Sequence, residues 1–173
     1  MKLIEPKAIS KSKDGGLTMA GSPVHVVCPS CSAINRVPPD RPAAQAKCGT
    51  CHHLLFQGKP VTADAAMFER QITRDDIPVL VDFWAPWCRP CLAMAPAYER
   101  AAAEIEPRFR LLKLNTEEEP AIAERYNIRS IPTLMLFSGG REIARRAGAS
   151  DTHSIVAWAS AQIAGQQPAA RAH

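Results

Sequence analysis

The residues of this chain whose type and spacing could do chemistry are its six cysteines, which all fall into Cys-x-x-Cys pairs. Cys88 and Cys91 follow an apolar run at 79–84 and precede apolar residues at helical spacing over 92–105, so we expect them where a strand passes into a helix. Unpaired backbone N–H groups and the helix dipole favour a thiolate there. The pattern predicts a dithiol in which Cys88 attacks a disulfide and Cys91, about one turn into the helix, resolves the mixed disulfide. The alternatives are a structural disulfide or half of a metal site.

The other two pairs have the spacing of a zinc site. Cys28 and Cys31 form the first pair, Cys48 and Cys51 the second, with sixteen residues between Cys31 and Cys48. Four thiolates can close a tetrahedral site around one Zn²⁺, and we expect Gly49 to permit the tight turn that points backbone N–H groups at sulfur. A segment of about thirty residues with few large apolar side chains needs such a metal cross-link to fold.

Two alternatives remain for this metal module. The four cysteines could instead form redox-switchable disulfides, which is compatible with zinc if oxidation ejects the metal. Histidines near the cysteines in sequence, namely His25, His52 and His53, could replace one ligand.

Composition limits the broad class of the protein. The chain has 173 residues, of which 46% are hydrophobic, enough for one sizeable core. It has no apolar segment of membrane-spanning or signal-peptide length, and its cysteine usage suits a reducing compartment, so we expect a cytoplasmic protein. The net charge of +4 is spread along the chain. The spread of charge gives no reason to expect a nucleic-acid partner, and we also expect a monomer without a membrane partner.

Turn-forming residues and periodicity divide the chain into four regions. We predict a disordered extension over 1–22, the metal module over 23–57, an α/β domain over 58–165 and a disordered tail over 166–173. Alternating element types predict a central sheet covered by helices on both faces. Helices are predicted over 64–73, 92–105, 118–126 and 151–164, and strands over 79–84, 109–114, 133–137 and 141–147.

The run Trp87-Cys88-Arg89-Pro90-Cys91 resembles the active site of the thioredoxin family. The resemblance continues at 113–115, 128–133 and 148–149, and it covers roughly 61–165. The metal module resembles the zinc-ribbon extension of the thioredoxin two type, with matches at 35–36 and 47–49. Together they imply a thioredoxin fold, with a mixed central sheet flanked by helices, preceded by a small zinc ribbon.

A carboxylate and a lysine interrupt the apolar strands. Asp82 lies inside the run 79–84, where burial should raise its pKa. The resemblance implies that Asp82 acts through water as a general base for Cys91, and that Lys113 lies beside it and moderates its pKa. The alternative is a buried structural ion pair.

The resemblance also assigns residues that contact the client. It implies a cis peptide bond between Ile131 and Pro132, packed against the cysteine pair, with the Ile131 backbone free to pair with an extended substrate segment. It implies that Trp87 shields the thiols and contacts clients. Gly148 is expected to let a partner approach closely, or simply to form a turn.

Arg89 stands where the family usually has glycine, beside Pro90. Its charge should favour the Cys88 thiolate and make the protein a somewhat stronger oxidant. Alternatively, Arg89 selects acidic partners and leaves the potential almost unchanged.

The resemblance implies a protein-disulfide reductase that acts on disulfide-containing client proteins. Thioredoxin reductase and NADPH would reduce its disulfide again after each turnover, and it would need no organic cofactor of its own. One rival is a zinc-dependent redox sensor or chaperone-like module in which the ribbon is the working part. Another is an oxidant or isomerase in an oxidising compartment. The metal should stabilise the ribbon, whereas the hydrophobic core should stabilise the larger domain. We therefore expect metal loss to unfold the ribbon alone.

Overall fold

The structure is a computed structural model that describes residues 9–11, 17–19 and 21–166. Strands β1 (Ile9–Lys11) and β2 (Leu17–Met19) pair antiparallel, which differs from the disorder expected over 1–22. The turn formers Asp14-Gly15-Gly16 stand between them in the sequence, a common hairpin signal. The rest of that segment up to residue 20, and 167–173 of the predicted tail, lie outside the described residues.

The metal module folds around a short antiparallel pair, β3 (Val24–Val27) and β4 (Ile34–Val37). A single 3₁₀ turn, Ala43–Gln45, follows. Its small apolar core includes Val26 and Leu55, both almost fully buried, together with two of the ribbon cysteines.

A five-stranded mixed sheet forms the larger domain, in the order β5-β7-β6-β8-β9. Strand β7 runs parallel to β5 and β6, whereas β8 is antiparallel to its neighbours β6 and β9. Strand β9 carries alternating charges and lies at an edge, as its pattern predicts. The strands are β5 (Val61–Thr62), β6 (Val79–Trp84), β7 (Arg110–Asn115), β8 (Thr133–Ser138) and β9 (Arg141–Ala147).

Helices cover both faces of this sheet, which confirms the predicted fold class. On one face Phe68 packs edge-to-face against Phe83 and Phe137. On the other, Tyr98 and Ile155 lie fully buried against the leucines of the strands. The helices are α1 (Ala65–Arg74), α2 (Arg89–Ile105), α3 (Pro120–Arg125) and α4 (Thr152–Ala164).

Side chains cap three of these helices, α1, α2 and α4, and the two aspartate caps explain why the sequence places α1 and α4 well. Asp64 accepts a hydrogen bond from the Met67 backbone N–H at 2.8 Å, and Asp151 accepts one from Ser154 at 2.7 Å. Within the described ranges, no helix is both long enough and apolar enough to cross a membrane. The parallel strands β6 and β7 end at the same edge of the sheet, where α2 begins.

The ribbon is docked against the larger domain. The Asp76 backbone N–H donates to the carbonyl of His25 at 2.9 Å, and Arg70 Nε donates to the carbonyl of Ser32 at 2.9 Å. Ile77, just before β6, belongs to the ribbon's own apolar cluster. The two predicted regions therefore share apolar and hydrogen-bonded contacts at their boundary.

Candidate active site and metal centre

The active-site cysteines occupy the junction between β6 and α2, as predicted. Cys88 is the N-cap of α2, and its Sγ accepts a hydrogen bond from the Cys91 backbone N–H at 3.2 Å. The two residues form a disulfide with their Cα atoms 5.2 Å apart, and both are almost completely buried. In the reduced state the same N–H and the positive end of the helix dipole stabilise a thiolate on Cys88.

The residues between the two cysteines begin the helix. Arg89 is the first residue of α2, and Arg89 and Pro90 are both exposed. Proline suits the first turn of a helix, since its missing N–H would have no intrahelical acceptor there. The Arg89 side chain is thus at the surface, close along the chain to Cys88.

A second loop packs against the cysteine pair. The Ile131–Pro132 peptide bond is cis, as the resemblance implies, and the Ile131 carbonyl oxygen lies 3.7 Å from Cys88 Sγ. A protonated Cys88 thiol could donate to that oxygen. The Gly148 backbone N–H donates to the Pro132 carbonyl at 2.9 Å, so the end of β9 lies beside the same loop.

The backbone conformation at position 148 favours glycine. Its φ is +93°, in the region that L-residues rarely adopt, whereas a Cβ built on it would meet nothing within 4 Å. The surface beside the cis proline is therefore open above Gly148, which fits the expected close approach of a partner as well as a turn.

Trp87 is the largest exposed hydrophobic group at the site. Its side chain is 66% exposed, yet its indole N–H donates to Glu117 Oε1 at 2.6 Å. Glu117 was not predicted from the sequence. Its position two residues after the end of β7 could have indicated it, because the C-terminal ends of the parallel neighbours β6 and β7 meet at one edge of the sheet. Leu92, also half-exposed, extends this apolar surface along α2.

Asp82 lies in the middle of the central strand, as predicted. It is 1% exposed, between Lys113 on β7 and Leu134 on β8, and neither carboxylate oxygen has a hydrogen-bond partner in the described structure. Burial raises the pKa of Asp82 to about 7, although the Lys113 charge opposes the increase. A carboxyl group with this pKa can both accept and release a proton near neutral pH.

Lys113 faces in from the neighbouring strand but does not form a tight ion pair. Its Nζ lies 4.6 Å from the centroid of the Trp84 ring, a cation–π distance. Trp84 is half-buried and packs against the cluster of Ala85, Cys88 and Cys91. Asp82 makes no hydrogen bond to Lys113, but the Lys113 charge lowers its pKa, so the alternative of a buried structural ion pair stays open.

The four ribbon cysteines come together as predicted. Their sulfur atoms all lie within 4.8 Å of one another, and among the described residues this is the group suited to a metal. Backbone N–H groups of Ser30 and Thr50 approach the sulfurs of Cys28 and Cys48 at 3.4 Å. Four thiolates with N–H donors at the sulfurs fit tetrahedral Zn²⁺.

Hydrogen bonding favours a thiolate at Cys48, whereas desolvation raises the pKa of the other three cysteines above the ordinary value. Backbone N–H groups of Cys51 and Thr50, followed by the Asn35 side chain, lower the pKa of Cys48 to about 5. Asn35 Nδ2 lies 3.5 Å from the Cys48 sulfur, while its Oδ1 accepts from the Gly49 N–H at 2.8 Å. Asn35 thereby stabilises the turn that contains Cys48 and Cys51.

The turn expected at Gly49 is present, since the Thr50 N–H lies 3.4 Å from the Cys48 sulfur, but Gly49 itself is not in the left-handed region. The left-handed backbone positions of the two turns belong to Ser32 (φ 61°) and His52 (φ 63°), each one residue after the second cysteine of its pair. Gly49 instead donates its backbone N–H to Asn35. His25 points elsewhere, with Nδ1 3.1 Å from Asp76 Oδ2, which leaves the four cysteines as the ligand set.

Comparisons with known proteins agree with both parts of the chain. The family described as Thioredoxin matches residues 59–161, and the family described as Thioredoxin 2, N-terminal matches residues 27–53. Thioredoxin C-3 of Corynebacterium nephridii is 39% identical over 142 residues, which is 82% of this chain and 97% of that protein. Thioredoxin of Rickettsia bellii is 41% identical over 96 residues, or 56% of this chain and 91% of the relative.

A solved structure supports the fold. A single-site mutant of thioredoxin from Halobacterium salinarum NRC-1 superposes with a TM-score of 0.56 at 27% identity, covering 62% of this chain and 94% of that chain. Together with the dithiol at the start of α2 and the cis proline beside it, these matches show that the chain belongs to the thioredoxin family of thiol-disulfide oxidoreductases, with the zinc-ribbon extension of thioredoxin 2 at its N-terminal side.

Proposed function

We propose that this protein reduces disulfides of client proteins in the cytoplasm, as a monomer, with electrons supplied by NADPH through a thioredoxin reductase. The observation that carries the proposal is the position of Cys88. Its Sγ caps a helix N-terminus and accepts the Cys91 N–H at 3.2 Å, so a thiolate is stabilised there. The use of all six cysteines in Cys-x-x-Cys pairs supports a reducing compartment.

The first half of the reaction is attack on the client. The Cys88 thiolate bonds to one sulfur of the client disulfide, and the other client sulfur leaves as a thiolate. The client segment lies beside the cis proline, where the Ile131 backbone is available for pairing, and it contacts Trp87, whose orientation Glu117 fixes. The product of this half is a mixed disulfide.

The second half is resolution by Cys91. Asp82, with its pKa near 7, accepts the proton of the Cys91 thiol through water. The Cys91 sulfur then bonds to Cys88, and the client leaves with its second thiolate. The result is the Cys88–Cys91 disulfide, the state present in the structure. Thioredoxin reductase returns two electrons and restores the dithiol.

In this proposal the zinc ribbon has a structural role. Cys28, Cys31, Cys48 and Cys51 hold one Zn²⁺, which ties the two cysteine turns together when bound. Elemental analysis of the fully reduced protein should give one zinc per chain. A content below about half a zinc per chain would argue against the site.

The reductase activity is tested with insulin as client. In the presence of NADPH and thioredoxin reductase, the protein should turn over NADPH in proportion to the insulin disulfides reduced. The Asp82→Asn variant should form mixed disulfides at the normal rate but resolve them more slowly, because the proton acceptor is lost. A protein that cannot be reduced by any thioredoxin reductase, but oxidises dithiol peptides, would instead be an oxidant.

A further inference from the structure

Asp82, Trp84 and Lys113 form a group of side chains on one face of the central sheet. Asp82 and Trp84 lie two residues apart on β6, so their side chains project to the same face. Lys113 is paired with Asp82 in the register of β6 and β7. The lysine is therefore the direct neighbour of the carboxylate and the diagonal neighbour of the tryptophan.

The Lys113 ammonium group has two possible partners within this group. A hydrogen-bonded ion pair is the ordinary choice for a lysine opposite a buried carboxylate. The structure shows the other arrangement. Lys113 Nζ lies 4.6 Å from the centroid of the Trp84 ring, and both oxygens of Asp82 are without a hydrogen-bond partner in the part of the chain that the structure describes. The aromatic ring therefore binds the cation that the carboxylate would otherwise attract.

Packing fixes the position of the Trp84 ring. The side chain is half-buried and packs against the apolar cluster that contains Cys88 and Cys91. Its indole N–H has no hydrogen-bond partner among the described residues, so contact with this cluster, and not a hydrogen bond, sets the orientation of the ring. A ring packed beside the disulfide gives the ammonium group a fixed binding position.

The other elements around Asp82 present neutral groups to it among the described residues. Its partner on β8 is the apolar Leu134. The helix α2 contributes Tyr98, whose pKa burial raises well above the ordinary value. The Tyr98 phenol is therefore neutral, and it donates to backbone carbonyls of β6 and β7 at 2.9 Å each. Lys113 is thus the charge that determines how strongly the Asp82 carboxylate is stabilised.

We propose that Trp84 is a positioning residue, whose ring holds the Lys113 ammonium group and so prevents a direct ion pair between Lys113 and Asp82. A direct pair would favour the ionised carboxylate and make it a weaker base toward Cys91. With the ammonium group over the ring, burial dominates, and the pKa of Asp82 is about 7. The consequence for catalysis rests on the reductase function proposed above, whereas the arrangement of the three side chains does not.

The titration of Asp82 in the oxidised full-length protein tests this role without turnover. NMR of a chain labelled at its carboxyl carbons follows the Asp82 resonance, which is identified by its absence from Asp82→Asn. In Trp84→Leu the freed ammonium group should approach the carboxylate and lower the midpoint by about one pH unit, equivalent to about 1.4 kcal/mol and within the range of a desolvated cation–π contact. Trp84→Phe keeps an aromatic face, so its decrease should be less than half as large.

A second background separates this role from simple shielding, because loss of the ring also admits water to Asp82. If Trp84 acts through Lys113, adding Trp84→Leu to Lys113→Met should change the midpoint by less than about 0.3 pH unit. An equal decrease in both backgrounds would mean that the ring only shields the carboxylate, and it would overturn the proposal. An unchanged midpoint in Trp84→Leu alone would do so as well.

A control and a milder variant complete this cycle. Trp158→Leu removes a tryptophan of α4 and should leave the Asp82 midpoint within about 0.2 pH unit of the wild type. If Trp84→Leu does not fold, the cycle is run with Trp84→Phe, whose smaller decrease must likewise disappear in the Lys113→Met background. A decrease that persists there overturns the proposal.

The reaction provides a separate readout. In Trp84→Leu the pH midpoint for resolution of a mixed disulfide by Cys91 should fall by the same amount as the Asp82 midpoint, and the rate above it should decrease because the base is weaker. A protein with the coupled titration that fails to reduce insulin would retain this positioning role and overturn the reductase proposal alone. An active reductase without the coupled titration would overturn the positioning role alone.

Discussion

Replacing Asp82 with asparagine should stabilise the folded protein at neutral and alkaline pH. Asp82 is 1% exposed, and its oxygens have no hydrogen-bond partner among the described residues. Burial raises its pKa from 3.8 to about 7, and Lys113 offsets only part of this effect. Asparagine has nearly the same shape but cannot ionise, so the variant removes the cost of a buried carboxylate anion.

The sign and size of the effect follow from proton linkage. Below about pH 4 the carboxyl group is protonated in both folded and unfolded chains, so it adds no pH dependence. As pH rises from about 4 to 7, only the unfolded chain loses the proton, which costs the folded state about 1.4 kcal/mol per pH unit. Above about pH 7 the cost is complete, at about 4 kcal/mol. The wild type therefore loses stability as pH rises through this range, and Asp82→Asn lacks that loss.

Urea unfolding of the oxidised proteins at pH 4, 6 and 8 measures this difference. Asp75 also has a pKa raised by burial to about 7, but it is present in both proteins, so their difference isolates Asp82. The exposed Asp40→Asn is the control and should change the free energy of unfolding by no more than about 0.5 kcal/mol at any pH. A gain for Asp82→Asn that is equal at pH 4 and pH 8, or a loss at pH 8, would refute the reasoning.

Four further variants test the redox site. Cys88→Ser should abolish insulin reduction and Cys91→Ser should accumulate thiol-sensitive adducts with clients; adducts on Cys88→Ser alone would mean that the two roles are reversed. Arg89→Gly should lower the reduction potential, measured against glutathione buffers, by on the order of 10 mV, because a screened charge supplies only a fraction of the roughly 1.4 kcal/mol that 30 mV represents; a more oxidising variant would leave partner selection as the better explanation. Glu117→Ala should free the Trp87 indole, change its fluorescence and raise KM for insulin by about 2–10-fold with little change in kcat, the size expected for one lost hydrogen bond; an unchanged KM would exclude the positioning role.

Local patterns predicted most of the fold. The apolar run of β6 and the helical spacing after it placed Cys88 and Cys91 correctly, because period and capping depend on residues a few positions apart. The capping aspartates, Asp64 and Asp151, likewise mark the starts of α1 and α4. The ribbon cysteines were recognised from spacing alone, since a tetrahedral metal site constrains both pairs.

The turns of the ribbon show where such local reasoning ends. Gly49 was expected to permit the tight turn, yet the positive φ angles belong to Ser32 and His52. Each of them follows the second cysteine of a pair whose sulfurs meet in one cluster, and such a tertiary arrangement can override the intrinsic preference of a residue.

Long-range contacts decided the rest. In the sequence Arg110 is one more basic residue at the start of a strand, and nothing near it indicates that its guanidinium will bind a carbonyl 83 residues away. The Trp87–Glu117 hydrogen bond likewise joins groups 30 residues apart. The sequence by itself determined the helices and the four long strands of the larger domain, the dithiol and the four-cysteine cluster, because each depends on residue type and spacing. Only the tertiary structure determined which backbone groups surround a buried charge, because that depends on how separate segments pack against one another.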